Sequence, residues 1–212
     1  MTTHEIAYEV TTHDLTAEQA KIHDKMIALI TGRKPRRILE IGAGAGRLGA
    51  RIQALGIDYV GIEPEQVQFD LARKTYPNLN VIQGSCYDDI DPALIGRVDM
   101  VISNDVIEHL YLPRKLVTFA KRFLEPGGVM ITATPDFGSY FKNIAYAVFN
   151  KWDLVHSPLW DGGHIKFFSR KSLHDLFKQE GFADFEWAYV RNVNYPIFRM
   201  AVYCSCRLPA NK

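Results

Sequence analysis

Residues 38–47 read Ile-Leu-Glu-Ile-Gly-Ala-Gly-Ala-Gly-Arg, an apolar run of strand length that leads directly into three glycines separated by single alanines. Glycine adopts backbone conformations with positive φ and carries no Cβ, so such a turn bends sharply and lets a bound molecule approach the backbone. The first N–H groups of a helix that follows are free to bind a ligand. We predict a ligand-binding loop here and consider a tight turn without a ligand the less favoured alternative.

Apolar runs of strand length recur on both sides of this loop, and helical patterns separate most of them. The predicted strands are Arg37 to Ile41, Ile57 to Ile62, Asn80 to Gln83, Val98 to Ser103 and Gly128 to Thr134. The predicted helices are Leu15 to Ile30, Gln66 to Tyr76 and Pro113 to Leu124. Strands that alternate with helices indicate an α/β fold with a doubly wound, mostly parallel sheet.

The last third of the chain departs from this alternation. A helix from Ser169 to about Glu180 precedes two strand-like runs, Phe182 to Val190 and Phe198 to Arg207. Their short connection predicts an antiparallel C-terminal strand, the last of seven. The segment 135–168 has no strand signal and is rich in aromatic residues, so we predict a helical insertion over the carboxyl edge of the sheet. We expect a single domain over 1–212, with a helical segment at 1–34.

The bulk composition is that of an ordinary globular protein. The 212 residues carry a net charge of +1, and the nearest cationic cluster, 33–37, is short, so nucleic acid is not a favoured partner. Three cysteines without a CxxC pair fit a reducing, cytoplasmic setting. No basic and apolar leader and no apolar run of membrane-spanning length is present in the sequence. The leading helix and the aromatic residues leave a homodimer open.

Glu63 ends the second predicted strand, where a carboxylate can accept hydrogen bonds from two ribose hydroxyls. The alternative is a cap for a helix that begins near Pro64. Both dinucleotides and other nucleoside ligands need such an acid. The spacing Gly44-x-Gly46-x-x-Gly49 matches the dinucleotide fingerprint, although this frame starts late relative to the end of the strand.

Several blocks together resemble the class I S-adenosylmethionine-dependent methyltransferases, in particular the branch similar to ubiquinone-biosynthesis-type and sugar O-methyltransferases. In order, these blocks are Glu-Ile-Gly-Ala-Gly-Ala-Gly at 40–46, Gly-Ile-Glu-Pro at 61–64, Ser-Asn-Asp-Val-Ile-Glu-His-Leu at 103–110 and Leu-Glu-Pro-Gly-Gly-Val-Met-Ile at 124–131. The resemblance covers the chain from about Arg36 to its end. It implies a Rossmann-like fold and S-adenosylmethionine as methyl donor.

The resemblance also implies which residues hold the donor. Gly42, Gly44 and Gly46 would line its methionine part, Glu40 would orient its amino group through the loop, and Glu63 would hold its ribose. Asn104 resembles the residue that meets the carboxypropyl chain. The family usually has an acid after the glycine at the third strand, whereas this chain has Ser85 and Cys86 after Gly84. Ser85, or a backbone carbonyl of this turn, would then contact adenine.

On the acceptor side, His109 is the predicted base, because a histidine takes up a proton near neutral pH. The sequence places Asp105, Glu108 and His109 three and four residues apart, so we expect them together on one helical turn. The pattern resembles the ExxEH of metal-dependent O-methyltransferases, with His164 as a fourth ligand. We do not favour a metal, and the alternative is that Asp105 caps the turn and Glu108 pairs with a base.

His164 is the second predicted acceptor-site residue, in a block, 163–173, that resembles a loop closing over the site in part of the family. His156, Trp160 and Asp161 lie in the same insertion and could shape the pocket. The aromatic residues of 137–160 suit a ring-shaped acceptor, or else they form a small core of their own. We therefore expect O-methylation of a small molecule such as a sugar, a nucleotide-linked sugar or a phenol or quinone precursor. The alternatives are N-methylation of a small amine, an NAD(P)-dependent oxidoreductase and a donor-binding protein without catalysis.

Overall fold

The computed structural model describes residues 15–138, 140–156, 158, 162–191 and 199–210, without the side chains of 94, 154 and 155. Seven strands of these residues form one sheet in the order β3-β2-β1-β4-β5-β7-β6. The strands are β1 (Arg37–Ile41), β2 (Asp58–Glu63), β3 (Val81–Gln83), β4 (Val98–Asn104), β5 (Leu124–Pro135), β6 (Ala183–Arg191) and β7 (Arg199–Arg207).

The pairing confirms the predicted doubly wound, mostly parallel sheet. Strand β1 pairs in parallel with both β2 and β4, so the chain reverses its direction of winding at β1. Strand β7 lies antiparallel between β5 and β6, which confirms the antiparallel C-terminal strand. Ligands of such sheets bind in the crevice outside the carboxyl ends of the strands at the reversal point. The glycine loop after β1 lies at this point.

Helices cover both faces of the sheet. They are α1 (Ala17–Thr31), α2 (Arg47–Gln53), α3 (Gln66–Thr75), α4 (Pro92–Ile95), α5 (Arg114–Phe123), α6 (Tyr140–Val148), α7 (Asp153–His156) and α8 (Arg170–Gln179). Buried residues form two apolar clusters. On one face, α1 packs Ile22, Met26 and Ile30 into the cluster, and Tyr203 of β7 donates a hydrogen bond of 2.8 Å to the Ile22 carbonyl. None of the described helices is long and apolar enough to cross a membrane.

Three local features differ from the sequence-based expectations. Strand β5 begins at Leu124, four residues earlier than predicted, and the β4–β5 register shifts between Val98 and Met100. The short helix α4 was not predicted, because four residues are too few for a periodic pattern. The predicted helical turn of Asp105, Glu108 and His109 is wrong, since the structure has a three-residue 3-10 turn at Ile107–His109 and Asp105 lies before it. The predicted strand start at Phe198 lies outside the described residues.

Candidate functional site

The three glycines of the loop after β1 have positive φ values of +81°, +52° and +78°, but their surroundings differ. A Cβ built at Gly42 would lie 2.4 Å from Val106 Cγ2, and one at Gly46 would lie 2.8 Å from Leu79 Cδ2. At Gly44 a Cβ would meet no atom within 4 Å. The first and last glycines are therefore required by packing, while Gly44 faces open space.

Glu63 holds the glycine loop. Its Oε2 accepts a hydrogen bond of 2.7 Å from the Gly44 N–H, and its Oε1 accepts one of 2.9 Å from the Glu65 N–H. The side chain is buried, which raises its pKa. Helix α3 begins only at Gln66 with Glu65 before it, so Glu63 is not the cap residue of that helix. A carboxylate has lone pairs for further donors, so ribose hydroxyls could join these two amides.

Glu40 lies beneath the loop in β1 and is buried. Tyr59 of β2 donates a hydrogen bond of 2.6 Å to Glu40 Oε2. Burial raises the pKa of the Glu40 carboxyl to about 8, so this group is mostly protonated at neutral pH. A Cβ at Gly49 would lie 2.3 Å from the Tyr59 ring. The third glycine of the dinucleotide-like spacing thus allows α2 to pack on Tyr59.

The turn after β3 holds Ser85 and Cys86. Cys86 is buried in the core, and burial raises the pKa of its thiol to about 11. Ser85 donates from both its N–H and its Oγ to Asp88 Oδ2, at 2.7 and 2.9 Å. The sequence analysis missed Asp88, which supplies an exposed acid three residues after the expected position. The turn therefore offers both a hydroxyl and a carboxylate near the end of β3.

Asn104 ends β4, and its amide donates a hydrogen bond of 2.9 Å to Asp105 Oδ2. Its Oδ1 is buried and has no hydrogen-bond partner among the described residues. Asp105 has a φ of +51°, a left-handed conformation that is uncommon for residues other than glycine, and burial raises its pKa to about 6. The N-cap position of the 3-10 turn is occupied by Val106, so Asp105 is not its cap residue.

Glu108, the residue before the predicted base His109, is fully buried. Thr134 of β5 donates a hydrogen bond of 2.9 Å to Glu108 Oε2, whereas Oε1 has no hydrogen-bond partner in the described part of the chain and lies 3.9 Å from His109 Nε2. Burial, reinforced by the nearby Asp105 carboxylate, raises the pKa of Glu108 to about 8. The expected pairing of Glu108 with a base is thus a long contact to its neighbour His109.

The backbone of Glu108 anchors the loop that carries His164. Its carbonyl accepts hydrogen bonds from the N–H groups of Ile165 and Lys166 at 3.0 and 2.9 Å. The rings of His109 and His164 consequently lie side by side, with centroids 4.9 Å apart. His109 Nδ1 also lies 3.4 Å from the Gly163 carbonyl oxygen. The structure therefore brings the two predicted acceptor-site histidines together.

Glu108, His109 and His164 could also hold a cation, because one ligand atom from each lies within 4.8 Å of the others. Carboxylate oxygen and imidazole nitrogen suit several divalent metals. Asp105 does not belong to this group, which leaves three of the four residues considered from the sequence. That the site works without a metal stays a prediction.

Asp136 is a buried residue at this edge of the sheet that the sequence analysis missed. It follows Pro135, the last residue of β5, and its N–H donates to the Met200 carbonyl at 3.0 Å. Its Oδ1 accepts a hydrogen bond of 2.8 Å from Gly138, whereas its Oδ2 is buried with no partner among the described residues. Asp136 thus places a buried carboxylate oxygen without a described partner directly after the end of β5.

The aromatic residues of the insertion divide into two groups. Phe137 packs against Phe167 and His164, with ring centroids 4.7 and 6.3 Å away. Helix α6, in contrast, has no buried residue, and its aromatic side chains Tyr140 and Phe141 are exposed. The alternative of a small core is therefore wrong for Tyr140 and Phe141, whereas stacking on an acceptor stays a prediction. Trp160 and Asp161 lie outside the described residues.

The known sequences that this chain resembles are methyltransferases. The sequence model of a methyltransferase domain family matches residues 12–186. A ubiquinone biosynthesis O-methyltransferase of Cereibacter sphaeroides is 29% identical over 153 residues, which cover 68% of this chain and 59% of the relative. The corresponding protein of Roseobacter denitrificans is 27% identical, with 79% of this chain and 68% of the relative covered. The chain thus spans about 59% of the length of the first curated relatives that it matches.

Solved structures share the fold at low sequence identity. Magnesium protoporphyrin IX methyltransferase from Synechocystis, solved with bound S-adenosylhomocysteine, matches with a TM-score of 0.68 at 12% identity, over 92% of this chain and 89% of that one. The N-methyltransferase NodS from Bradyrhizobium japonicum, also with S-adenosylhomocysteine, matches with a TM-score of 0.66 at 13% identity, over 92% and 90%. These likenesses confirm the Rossmann-like fold.

Proposed function

Because the chain belongs to the class I S-adenosylmethionine-dependent methyltransferase family, we propose that it transfers a methyl group from S-adenosylmethionine to a hydroxyl oxygen of a small molecule. The sulfonium of the donor supplies the methyl group and the driving force of the displacement. The protein then has to align the acceptor oxygen, exclude water and receive the hydroxyl proton.

The residues after β1, β2 and β4 fit the donor. Gly44 leaves open space where a side chain would lie, and Glu63 is buried next to that space with its carboxylate bound to the loop. Asn104 Oδ1 is buried and bonds to none of the described residues, as expected of a group that would accept a hydrogen bond from a bound ligand. In this proposal Glu40, Gly42 and Gly46 hold the shape of the loop beneath the donor.

Adenine would lie near the turn after β3. Ser85 and Asp88 provide polar atoms there, and Cys86 fills the core behind them. The Asp88 carboxylate can accept a hydrogen bond from the exocyclic amine of adenine. Asp88 is thus our preferred substitute for the acid that the family usually carries at this strand.

His109 is the proposed base for the acceptor hydroxyl. The single observation that carries O-methylation is the pairing of His109 with His164 above the buried Glu108. When His109 takes the hydroxyl proton on one ring nitrogen, its Nδ1–H can donate to the Gly163 carbonyl oxygen, which lies 3.4 Å from Nδ1. An amine acceptor that has already lost its proton has a free lone pair and would not need this base.

The 3-10 turn Ile107–His109 carries this base and lies close to the glycine loop after β1. Val106, three residues before His109, contacts the position where a Gly42 side chain would begin, so the turn after β4 packs on the turn after β1. We assign the acceptor side to the insertion 135–168, in which Phe137 packs against His164 and Asp136 is the residue before Phe137. A sugar or a phenol-type ring could lie against Phe137 and bond Asp136.

Calorimetric titration with S-adenosylhomocysteine, with NAD and NADP as controls, tests donor binding first. We expect micromolar binding of S-adenosylhomocysteine alone, and binding of NAD or NADP instead would contradict the proposal. Transfer of a labelled methyl group to a panel of catechols, sugars and amines then tests the acceptor. Labelling of amines alone would contradict O-methylation while leaving donor binding intact.

A further inference from the structure

Lys142 is a half-buried lysine in the first turn of α6, on the side of the helix that meets the protein. Its Nζ donates a hydrogen bond to the Asp136 carbonyl oxygen and lies 5.2 Å from the centroid of the Phe137 ring. Burial lowers the pKa of its ammonium group, because an apolar environment disfavours a charge. The ammonium group is thus held at the end of β5, where the insertion begins.

The charge of Lys142 has no direct counter-ion in the described part of the chain. The bond to the Asp136 carbonyl is the single hydrogen bond that Lys142 makes with the described residues, and none of their carboxylates forms an ion pair with it. An ammonium group has three N–H donors, so two remain for other partners. Buried or half-buried charges are normally paired. An anionic ligand would supply the missing partner.

A second polar group at this place also lacks a partner among the described residues. The Oδ2 atom of Asp136 is buried, and Gly138 binds only the other carboxyl oxygen. One residue therefore holds Lys142 through its carbonyl and offers a free oxygen through its side chain. A ligand that carries both a hydroxyl donor and an anionic group could bond Asp136 with the first and Lys142 with the second.

The Phe137 ring connects this place with the proposed base. Lys142 lies over the Phe137 ring, and that ring packs against His164. The His164 ring in turn lies beside the His109 ring. Two rings therefore separate the ammonium group from the proposed base. An acceptor that lies against Phe137 could direct its reacting hydroxyl to His109 and an anionic substituent to Lys142.

We propose that Lys142 binds an anionic group of the acceptor, so that the molecule to be methylated is a hydroxylated carboxylate or phosphate. This inference rests on the proposed O-methylation and narrows its substrate class. Among the acceptors considered from the sequence, a nucleotide-linked sugar and an acidic phenol meet the requirement. A neutral sugar does not.

Acceptor kinetics with matched compounds test the proposal. The compounds are catechol with 3,4-dihydroxybenzoate, and glucose with glucuronate and glucose 6-phosphate. Lys142→Met removes the charge and keeps an apolar stem, so KM for the anionic members should rise about tenfold or more, while KM for the neutral members and kcat should change little. Lys142→Arg keeps the charge and should retain most of the affinity. The two sugar anions distinguish a carboxylate site from a phosphate site.

Lys151→Met is the matched control, because Lys151 is an exposed lysine of the same insertion. It should keep the KM of the wild type for every compound. The control matters because the sulfonium of the donor attracts any anionic acceptor, so a preference of the wild type for anions is not sufficient. Equal KM values for the anionic compounds in Lys142→Met and the wild type would overturn the proposal. Equal affinity of all variants for S-adenosylhomocysteine shows that each is folded.

Acetylation of lysines by acetic anhydride, read by mass spectrometry, tests the anion site without any methyl transfer. In the wild type with bound S-adenosylhomocysteine, 3,4-dihydroxybenzoate or glucose 6-phosphate should slow acetylation of Lys142, whereas catechol and glucose should not. Lys151 in the same molecule should react at the same rate throughout. Failure of both anions to protect Lys142 would overturn the proposal, even if O-methylation is observed. Protection of Lys142 without transfer to any hydroxyl would support the anion site and contradict only the proposed reaction.

Discussion

The backbone N–H of Gly44 donates a hydrogen bond of 2.7 Å to Oε2 of Glu63, and this bond joins the turn after β1 to the last residue of β2. The two strands are neighbours in the sheet, so the bond links their carboxyl ends. The loop and the proposed ribose-binding acid are therefore held together by a direct hydrogen bond.

Gly44→Val should abolish donor binding and leave the fold intact. The side chain would enter the open space at Gly44, and the φ of +52° would add strain. Gly56→Val is the matched control, because Gly56 also has a positive φ (+76°) and a Cβ built there would meet no atom within 4 Å. Calorimetry with S-adenosylhomocysteine should show no binding for the first variant and wild-type affinity for the second. Equal affinity for both variants would refute the placement of the donor.

His109→Ala should lower turnover by about 10²–10⁴-fold, because a positioned base typically contributes that much. Donor affinity should change little, since His109 lies on the acceptor side. His174→Ala, on α8, is the control and should keep wild-type turnover. The measurement is single-turnover methyl transfer together with donor calorimetry. Unchanged turnover in His109→Ala would remove this residue from the reaction.

Asp136→Asn should raise the acceptor KM by roughly tenfold, because one hydrogen bond from a ligand to the unpartnered Oδ2 would be lost. The amide can still accept the Gly138 N–H, so the local backbone should not change. The control is Asp153→Asn, at an exposed carboxylate of the same insertion. If KM is the same for all three proteins, Asp136 does not bind the acceptor.

Glu40→Gln should flatten the pH dependence of stability. The pKa of Glu40 is about 8 in the folded protein against 4.5 for an ordinary glutamate, so the folded state binds more protons between these values. The free energy of unfolding of the wild type should therefore fall as the pH rises from about 4.5 to about 8. Without donor, the wild type should lose roughly 3–5 kcal/mol more than the variant over this window.

Urea titrations at several pH values measure this difference. Glu186→Gln changes an exposed carboxylate and serves as the control, which should keep the slope of the wild type. An equally steep slope in Glu40→Gln would mean that Glu40 is ionised in the folded protein.

A chelator should leave methyl transfer unchanged. The Glu108 carboxyl, with a pKa of about 8, holds a proton at neutral pH, and Thr134 already binds one of its oxygens. The measurement is initial rate after dialysis against a chelator. A loss of activity that a divalent metal restores would instead assign a cation to Glu108, His109 and His164.

Most of the sheet could be predicted because buried parallel strands are continuous apolar runs bounded by glycine or polar residues. The limits of β1 agree with the prediction at both ends, since Arg37 and Gly42 mark them. The site was less accessible to sequence patterns. The backbone of Asp105 is left-handed, and nothing in the spacing of Asp105 and Glu108 distinguishes this from a helical turn.

The missed residues owe their surroundings to contacts between distant segments. Asp136 looks like an ordinary turn residue, yet pairing with β7 buries it. The periodicity of α6 predicts a helix but cannot tell which side meets the protein. That choice follows from the carbonyl groups of Asp136 and Phe137, which bind Lys142 and Asn143.

The place of β7 between β5 and β6 also matters while the chain is being made on the ribosome. Strands β1 to β5 can assemble in the order of their synthesis, but β6 emerges before β7, its only neighbour in the described sheet. Until residues 199–207 have left the exit tunnel, the outer edge of β5 carries unpaired backbone groups, which are prone to join other chains. A nascent chain halted before Arg199 should therefore engage chaperones, whereas one extended past Arg207 should release them.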